Sequence, residues 1–385
     1  MPRDFICLMC PNGCHLSRHS RSDGAVEIRG NQCDKGLAFA RSVLKGAELG
    51  SGTRLVPGGP RAAHGAEELR QVLAHWGITY RSLRPHLTPE GSPERTVFRA
   101  VVEDDRGFLF IVEQVDPAVF HTKMKIIRTL ALLSERGLPA IVPYCRDREG
   151  QSLVKHGEDL WQVVPFTPGV RLDRETYLYE AWRGDVLASF LKALRDKARG
   201  MPAFSGDEVF SIKGYIRKLE AQVQRHQPRL VPQVREVLAF LEQEFMAVHD
   251  DLPVAFCHGD FHPLNIVWGK DDIRAVIDWE FLGIKPEIYD AANMVGCLGM
   301  EHPSSLTGPL VLAFIGRLRE EGVFAAQSWR SFVGFVVALR FAWLSEWLRK
   351  KDEEMIALEL DYMRLLIVHR EELRAAWKLS VDIVL

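Results

Sequence analysis

The chain has 385 residues, 47% of them hydrophobic and 26% charged, with a formal net charge of −2. That is the composition of a soluble protein with a large core, and it excludes a general basic field for nucleic acid or an anionic membrane. No stretch reaches the length of a transmembrane helix, because the apolar run Phe332–Leu344 is short and contains Arg340.

Four of the seven cysteines, Cys7, Cys10, Cys14 and Cys33, fall in the first 33 residues. They interrupt the N-terminus where a secretory leader would carry an apolar core, so the expected location is the cytoplasm. Without a secretion signal, such clustering favours metal ligation over disulfides. Asp23-Gly24 centres a turn between His15–Ser20 and Ala25–Arg29, which would bring Cys33 back beside Cys14. Four thiolates suit a structural zinc or an iron–sulfur cluster. His15 and His19 are either spare ligands or solvent-facing strand residues. Residues 1–49 thus read as a metal-binding module, and 50–65, with GSG and PGGP, as a linker.

Residues 66–76 read as a short amphipathic helix with Leu69, Val72, Leu73 and Trp76 on one face. Two β-type runs follow, Thr96–Glu103 and Phe108–Val115, separated by Asp104-Asp105-Arg106-Gly107, a hairpin signal. Pro117 opens a helix through about Arg136, and Leu160–Phe166 reads as a strand ended by Thr167-Pro168-Gly169. From Tyr177 onward helical periodicity dominates, apart from a β segment at 254–278. The order is therefore a sheet region at 66–168 and a mainly helical region at 169–385.

The densest chemistry lies in His258-Gly-Asp-Phe-His-Pro-Leu-Asn265, followed by Ile277-Asp278-Trp279. Phosphoryl transfer needs a carboxylate to take or orient an acceptor hydroxyl, and oxygen ligands to hold magnesium against phosphates. Asp260 and Asn265 have the spacing of a kinase catalytic loop. Ile266–Trp268 and Ile273–Ile277 read as strands joined by Gly269-Lys-Asp-Asp272, a hairpin that would bring Asn265 and Asp278 together at its open end beside Asp260.

With these motifs, residues 66–370 resemble the aminoglycoside phosphotransferase-like superfamily, which includes choline, homoserine and N-acetylhexosamine kinases. The resemblance implies an α+β, two-lobed protein-kinase-like fold with a small β-sheet N-lobe and a mainly helical C-lobe. It makes Asp260 the catalytic base, Asn265 and Asp278 the magnesium ligands, and His258 and Asp290 braces of the catalytic loop. Trp161–Phe166, with Val164 and Phe166, would be the strand entering the hinge whose backbone meets adenine. ATP, Mg and a small-molecule hydroxyl acceptor are the implied cofactors and partners. The HRD and DFG signatures of protein kinases are absent, and HGD and IDW stand in their place. The cysteine segment in turn resembles a small bacterial domain bearing CxxCPxGC and GNxCxxG. It is also similar to the cluster-binding segment of molybdopterin oxidoreductases, which implies a four-iron four-sulfur cluster and a redox partner.

Two positions depart from the family pattern. Where kinases carry a phosphate-binding lysine on the third strand, this chain has Glu113, and the next helix offers Lys123, Lys125 and Arg128 where an acid is expected. Three readings stay open. The pair is reversed, with a helix base holding Glu113 and reaching the phosphates; the bases are a solvated helix face; or the kinase is degenerate. Gly91-Ser92-Pro93-Glu94-Arg95 stands where a phosphate-covering loop belongs, with Arg95 as a neutralising charge, or is a plain turn.

The stretch Phe332–Met363 places Arg340, Trp343, Glu346 and Trp347 at helical spacing, as an acceptor face or as core. Two functions remain in competition: a small-molecule kinase, and an iron–sulfur electron-transfer or scaffold protein carrying a degenerate nucleotide-binding lobe.

Overall fold

The computed structural model describes residues 64–89, 97–173, 176–201 and 209–379 in full and, before them, the backbone of three strands. Those strands are β1 (Asp4–Ile6), β2 (His15–Ser20) and β3 (Val26–Arg29), an antiparallel meander in which Ser20 opposes Val26 and Ser17 opposes Arg29. The expected pairing of β2 with β3 is present. Cys7, Cys10, Cys14 and Cys33 lie outside the described residues, as do Gly91, Ser92 and Arg95.

The chain divides into two compact units. Cys14–Arg136 and Ile141–Pro168 belong to the first, and Gly137–Ala140 and Gly169–Leu385 to the second.

The first unit is built on a five-stranded antiparallel sheet of order β4-β5-β6-β8-β7. Its strands are β4 (Tyr80–Leu83), β5 (Phe98–Asp104), β6 (Leu109–Val115), β7 (Leu153–His156) and β8 (Asp159–Pro165). Helix α1 (Ala66–Ala74) covers one face. Its Leu69, Val72 and Leu73, spaced at three and four residues, are fully buried against Phe98, Ala100, Val102, Val112, Trp161 and Val163. Each such aliphatic side chain contributes roughly 1.5–3 kcal/mol on burial. Asp104 makes the β5–β6 turn: its Oδ1 accepts the N–H groups of Arg106 and Phe108, and Gly107 takes φ +85. After β6, Asp116 caps a turn of 3-10 helix at Pro117–Val119, and α2 (Phe120–Glu135) follows. Ile127 of α2 packs with Val115 and Leu153.

The second unit is mostly helical. Its first helices are α3 (Ala181–Ala198), α4 (Ile212–His226) and α5 (Val231–Leu241). Two short antiparallel pairs interrupt them: β9 (Val254–Cys257) with β12 (Gly283–Pro286), and β10 (Ile266–Trp268) with β11 (Ile273–Val276). Then come α6 (Tyr289–Glu301), α7 (Pro309–Glu320), α8 (Ala326–Arg330), α9 (Phe332–Lys350), α10 (Glu353–Val368) and α11 (Arg370–Ala376). Gly184 lets α3 and α7 touch, since a Cβ there would collide with the Leu310 carbonyl and the Phe314 amide. Helix α9 is the centre of the core, buried without interruption from Phe332 to Phe341.

Strand β12 is a correction to the sequence reading, which ended the β segment at 278; Gly283 and Pro286 are residues that argue against a strand, yet they pair with Cys257 and Val254. The expected single stretch Phe332–Met363 is two helices, broken where Lys351 turns left-handed (φ +56) and Asp352 caps the next helix by accepting the Met355 N–H. Among the described residues, no helix is long and apolar enough to cross a membrane.

Candidate active site

Strand β9 delivers the chain to His258, Gly259 and Asp260, and nearly every polar atom of that turn is committed. The Asp290 carboxylate, at the start of α6, accepts the backbone N–H of His258 at 2.7 Å and that of Gly259 at 2.8 Å. Gly259 sits at φ +85, and a Cβ there would collide with the Phe281 carbonyl, so only glycine fits. The His258 Nδ1 accepts the Asp260 N–H at 3.1 Å, which leaves Nε2 to donate to the Ile277 carbonyl at 2.9 Å. Burial lowers the His258 imidazole to about 4, so it is neutral near pH 7 and acts as a hydrogen-bonded strut. Burial also pushes the Asp290 carboxyl up to about 6, against the two N–H bonds and the charge of Lys285, which favour its ionised form.

Asp260 is half-buried, Asn265 buried and Asp278 exposed. Asn265 Nδ2 donates to the Asp260 carbonyl at 2.8 Å and to its Oδ2 at 3.2 Å. His262 accepts the Leu264 N–H at Nδ1, turning its Nε2 toward Asp260 Oδ2 at 3.6 Å. Burial alone would raise the Asp260 carboxyl; His262, the His258 ring and the Asn265 amide outweigh it and hold the group below its ordinary value.

The β10–β11 hairpin closes the arrangement. Ile266 opposes Val276, and the Ile277 N–H donates to the Asn265 carbonyl at 2.9 Å, so Asp278 follows immediately after Asn265's partner. Asp278 adopts the left-handed conformation (φ +61), which aspartate tolerates better than most residues. The structure thus brings together Asp260, Asn265, Asp278, His258 and Asp290. His262 was not singled out from the sequence, although it lies two residues after Asp260 in the same motif.

In the sheet unit, Arg99, Glu113 and Gln162 stand opposite one another on β5, β6 and β8. Arg99 Nε and Gln162 Nε2 each donate to the Glu113 carboxylate at 2.5 Å. Burial raises the Glu113 carboxyl, but the charges of Arg99 and Lys123 and these bonds prevail and hold it below the usual range. The sequence reading sought its neutralising base on α2. Lys123 does add its charge, but the short ion pair comes from the neighbouring strand. Counting back from the Asp104–Gly107 turn would have found Arg99, since hairpin register fixes its opposite number.

Val164 and Phe166 are half-buried at the end of β8. The Phe166 N–H donates to Leu109 at 2.9 Å and is not free for a nucleobase. Lys125, on α2, is half-buried, and its carbonyl accepts the Thr129 hydroxyl.

Helix α9 separates the four residues grouped from the sequence. Arg340, 2% exposed, forms a double hydrogen bond with the fully buried Glu359 of α10, and the Trp347 indole N–H donates to the same carboxylate at 3.1 Å. Trp343 lies beside Arg340 and meets the His262 ring edge-on at 6.0 Å. Glu346 turns instead to Arg349 and Lys350.

Comparisons with known proteins bear on the fold and the family. No curated protein matches the chain significantly. Solved structures do match its fold. One is the aminoglycoside phosphotransferase from Alicyclobacillus acidocaldarius, with TM-score 0.57 and 14% identity over 85% of this chain and 97% of that one. A second is amicoumacin kinase hAmiN in complex with AMP-PNP, Ca2+ and Ami, with TM-score 0.54 and 13% identity over 81% and 94%. A third is spectinomycin phosphotransferase APH(9)-Ia with ADP and spectinomycin, with TM-score 0.55 and 12% identity over 83% and 100%. These likenesses show a kinase-like α+β fold with a sheet lobe and a helical lobe. A sequence profile of the phosphotransferase enzyme family (APH) matches residues 89–326, well over half of the chain, and the protein belongs to that family.

Proposed function

We propose that the protein transfers the γ-phosphate of ATP, with magnesium, to a hydroxyl group of a small molecule, and that Asp260 is the general base. The observation that carries this reading is the state of Asp260: a partly exposed carboxylate, held below its ordinary value by His262, the His258 ring and the Asn265 amide, on a loop whose backbone is fixed by His258, Gly259 and Asp290. The acceptor oxygen attacks the γ-phosphorus as its proton passes to the Asp260 carboxylate. The bond from γ-phosphorus to the β,γ-bridging oxygen breaks, and ADP leaves with that oxygen. Placement accounts for most of such catalysis, and the braces around residues 258–260 supply it.

The donor set suits magnesium. Asn265 commits its Nδ2 to Asp260, which leaves its Oδ1 for a cation, and Asp278 supplies an exposed carboxylate next to it in register. Bound there, the ion would neutralise phosphate charge. The neighbours named for AMP-PNP with Ca2+ and for ADP support the nucleotide and divalent-cation parts of the reading. Glu113 is not a phosphate ligand in it, because its charge is matched by Arg99.

Calorimetric titration of ATP, with and without magnesium, into the wild type and Asp278→Ala tests the proposal. Magnesium-dependent binding in the wild type that weakens at least about tenfold in the variant is expected. Binding indifferent to magnesium, or unchanged in the variant, would overturn it.

A further inference from the structure

Two partly exposed indoles stand at the His262 side of the candidate site, and what they imply for the acceptor rests on the phosphotransfer function just proposed. Helix α9 is sealed in the core through Phe341, yet Trp343 and Trp347 remain partly exposed. Four residues apart, they share a face, with ring centroids 6.1 Å apart and planes tilted by 30°. That face abuts the site, since Trp343 meets His262, whose Nε2 lies 3.6 Å from the Asp260 carboxylate. We infer that Trp343 and Trp347 are the aromatic wall of the acceptor subsite, and that the acceptor is an uncharged, hydroxyl-bearing ring of the sugar or cyclitol type.

Charge decides against a cationic acceptor. The carboxylates beside the two indoles are spent: Glu359 on Arg340 and the Trp347 N–H, and Glu346 on Arg349 and Lys350. Counting Arg340, Arg349 and Lys350 against Glu346 and Glu359 leaves one net positive charge around the wall. The aromatic faces already hold cations, with Arg340 5.5 Å over Trp343 and Lys350 5.2 Å over Trp347. At the wall itself a polyamine acceptor would meet these cations, while both carboxylates beside the indoles are already paired. A sugar-like ring would lay its C–H face on an indole and turn a hydroxyl toward Asp260.

The Arg340–Glu359 pair holds the wall in place. Arg340 Nη1 reaches the Cys297 thiol at 3.8 Å, and the Asn293 amide one turn earlier donates to the Phe261 carbonyl at 3.2 Å. The wall and the loop bearing Asp260 are thus fastened to the same helix, α6.

The test is ADP release by the full-length protein with Mg-ATP and a panel of probes: uncharged monosaccharides and cyclitols on one side, kanamycin and choline on the other. It is run on the wild type, Trp343→Ala, Trp343→Phe and Trp347→Phe. At least one uncharged probe should stimulate release, and the cationic ones should not. Trp343→Ala should raise the KM of that probe about tenfold or more while the Kd for ATP moves by less than about twofold, and Trp343→Phe should recover most of the loss. The inference is overturned by stimulation from the cationic probes alone. It is equally overturned by an uncharged-probe KM indifferent to all three variants, or by no response to any uncharged probe from a protein that binds Mg-ATP. A wild type that does not bind Mg-ATP overturns the phosphotransfer reading itself, and calorimetry on the same preparation identifies that case separately.

Discussion

Two carboxylates, one in each unit, are both held ionised, and the partners that hold them differ in kind. Glu113 is gripped by a guanidinium and an amide at 2.5 Å each, with Lys123 adding its charge. Asp260 is held by an amide N–H at 3.2 Å and a histidine at 3.6 Å, and its side chain remains 22% exposed. A carboxylate matched by a full positive charge at bonding distance has nothing left to offer a substrate. One held by longer contacts to an amide and a histidine, and still partly exposed, keeps a lone pair that can take a proton. The sequence shows both as acidic residues at kinase-like positions; only their partners tell a structural charge from a chemical one.

The largest expected effect comes from removing the carboxylate proposed as the base. Asp260→Asn preserves size and the bond from Asn265 to the residue 260 carbonyl but removes the basic oxygen. The turnover rate should fall by a factor of about 10²–10⁴, with ATP affinity changed little. Single-turnover kinetics would check this, and a turnover rate within about tenfold of wild type would return Asp260 to the same class as Glu113.

The structural carboxylate should behave in the opposite way. Arg99→Leu leaves the Glu113 charge without its ion-pair partner and is expected to cost about 1–3 kcal/mol of stability, Glu113 being 12% and Arg99 27% exposed. Combining it with Glu113→Gln should recover much of that loss, because an amide can share the hydrogen bond to Gln162 without carrying charge. Urea denaturation of the two single variants and the double variant gives the coupling. Strictly additive losses would mean that the pair does not act as a unit.

The two regions were not equally legible. The geometry of the Asp260 loop could be read because it is local: a glycine that alone fits at 259, a spacing of five to Asn265, and a hairpin whose register fixes Asp278. The Glu113 row depends on three strands, and its third member, Gln162, lies 49 residues away, beyond any local pattern. Arg99 was within reach of hairpin register, but the search went to the helix, where kinases place the partner of this position. The pairing of Arg340 with Glu359 required a break at Lys351 that the apolar pattern conceals. The string Asp352-Glu353-Glu354 does announce a helix start there, since Asp352 caps and two acids occupy the first turn. Strand β12 stayed hidden because Gly283 and Pro286 are poor strand formers that tertiary pairing overrides.

A third carboxylate completes the contrast and carries the smallest predicted effect. Asp290 accepts two backbone N–H groups, and burial pushes it up to about 6, above its unfolded value, whereas Glu113 lies below its own. The signs are therefore opposite. Stability from Glu113 is present above its unfolded value and is lost as pH falls through its lower folded value. Asp290 binds more protons folded than unfolded, so its contribution favours the native state in acid and is lost as pH rises through about 6. Protonation nevertheless turns one Asp290 oxygen into a donor, and the turn at residues 258–259 loses one of its two acceptors. The turnover rate should thus fall to about half near pH 6 while the fold stays intact. In Asp290→Asn this inflection should vanish, leaving a lower rate that is flat across the interval. A pH–rate profile paired with circular dichroism at each pH separates the two effects. An inflection near pH 6 that persists in Asp290→Asn would assign the titration to another group and leave Asp290 a structural acceptor only.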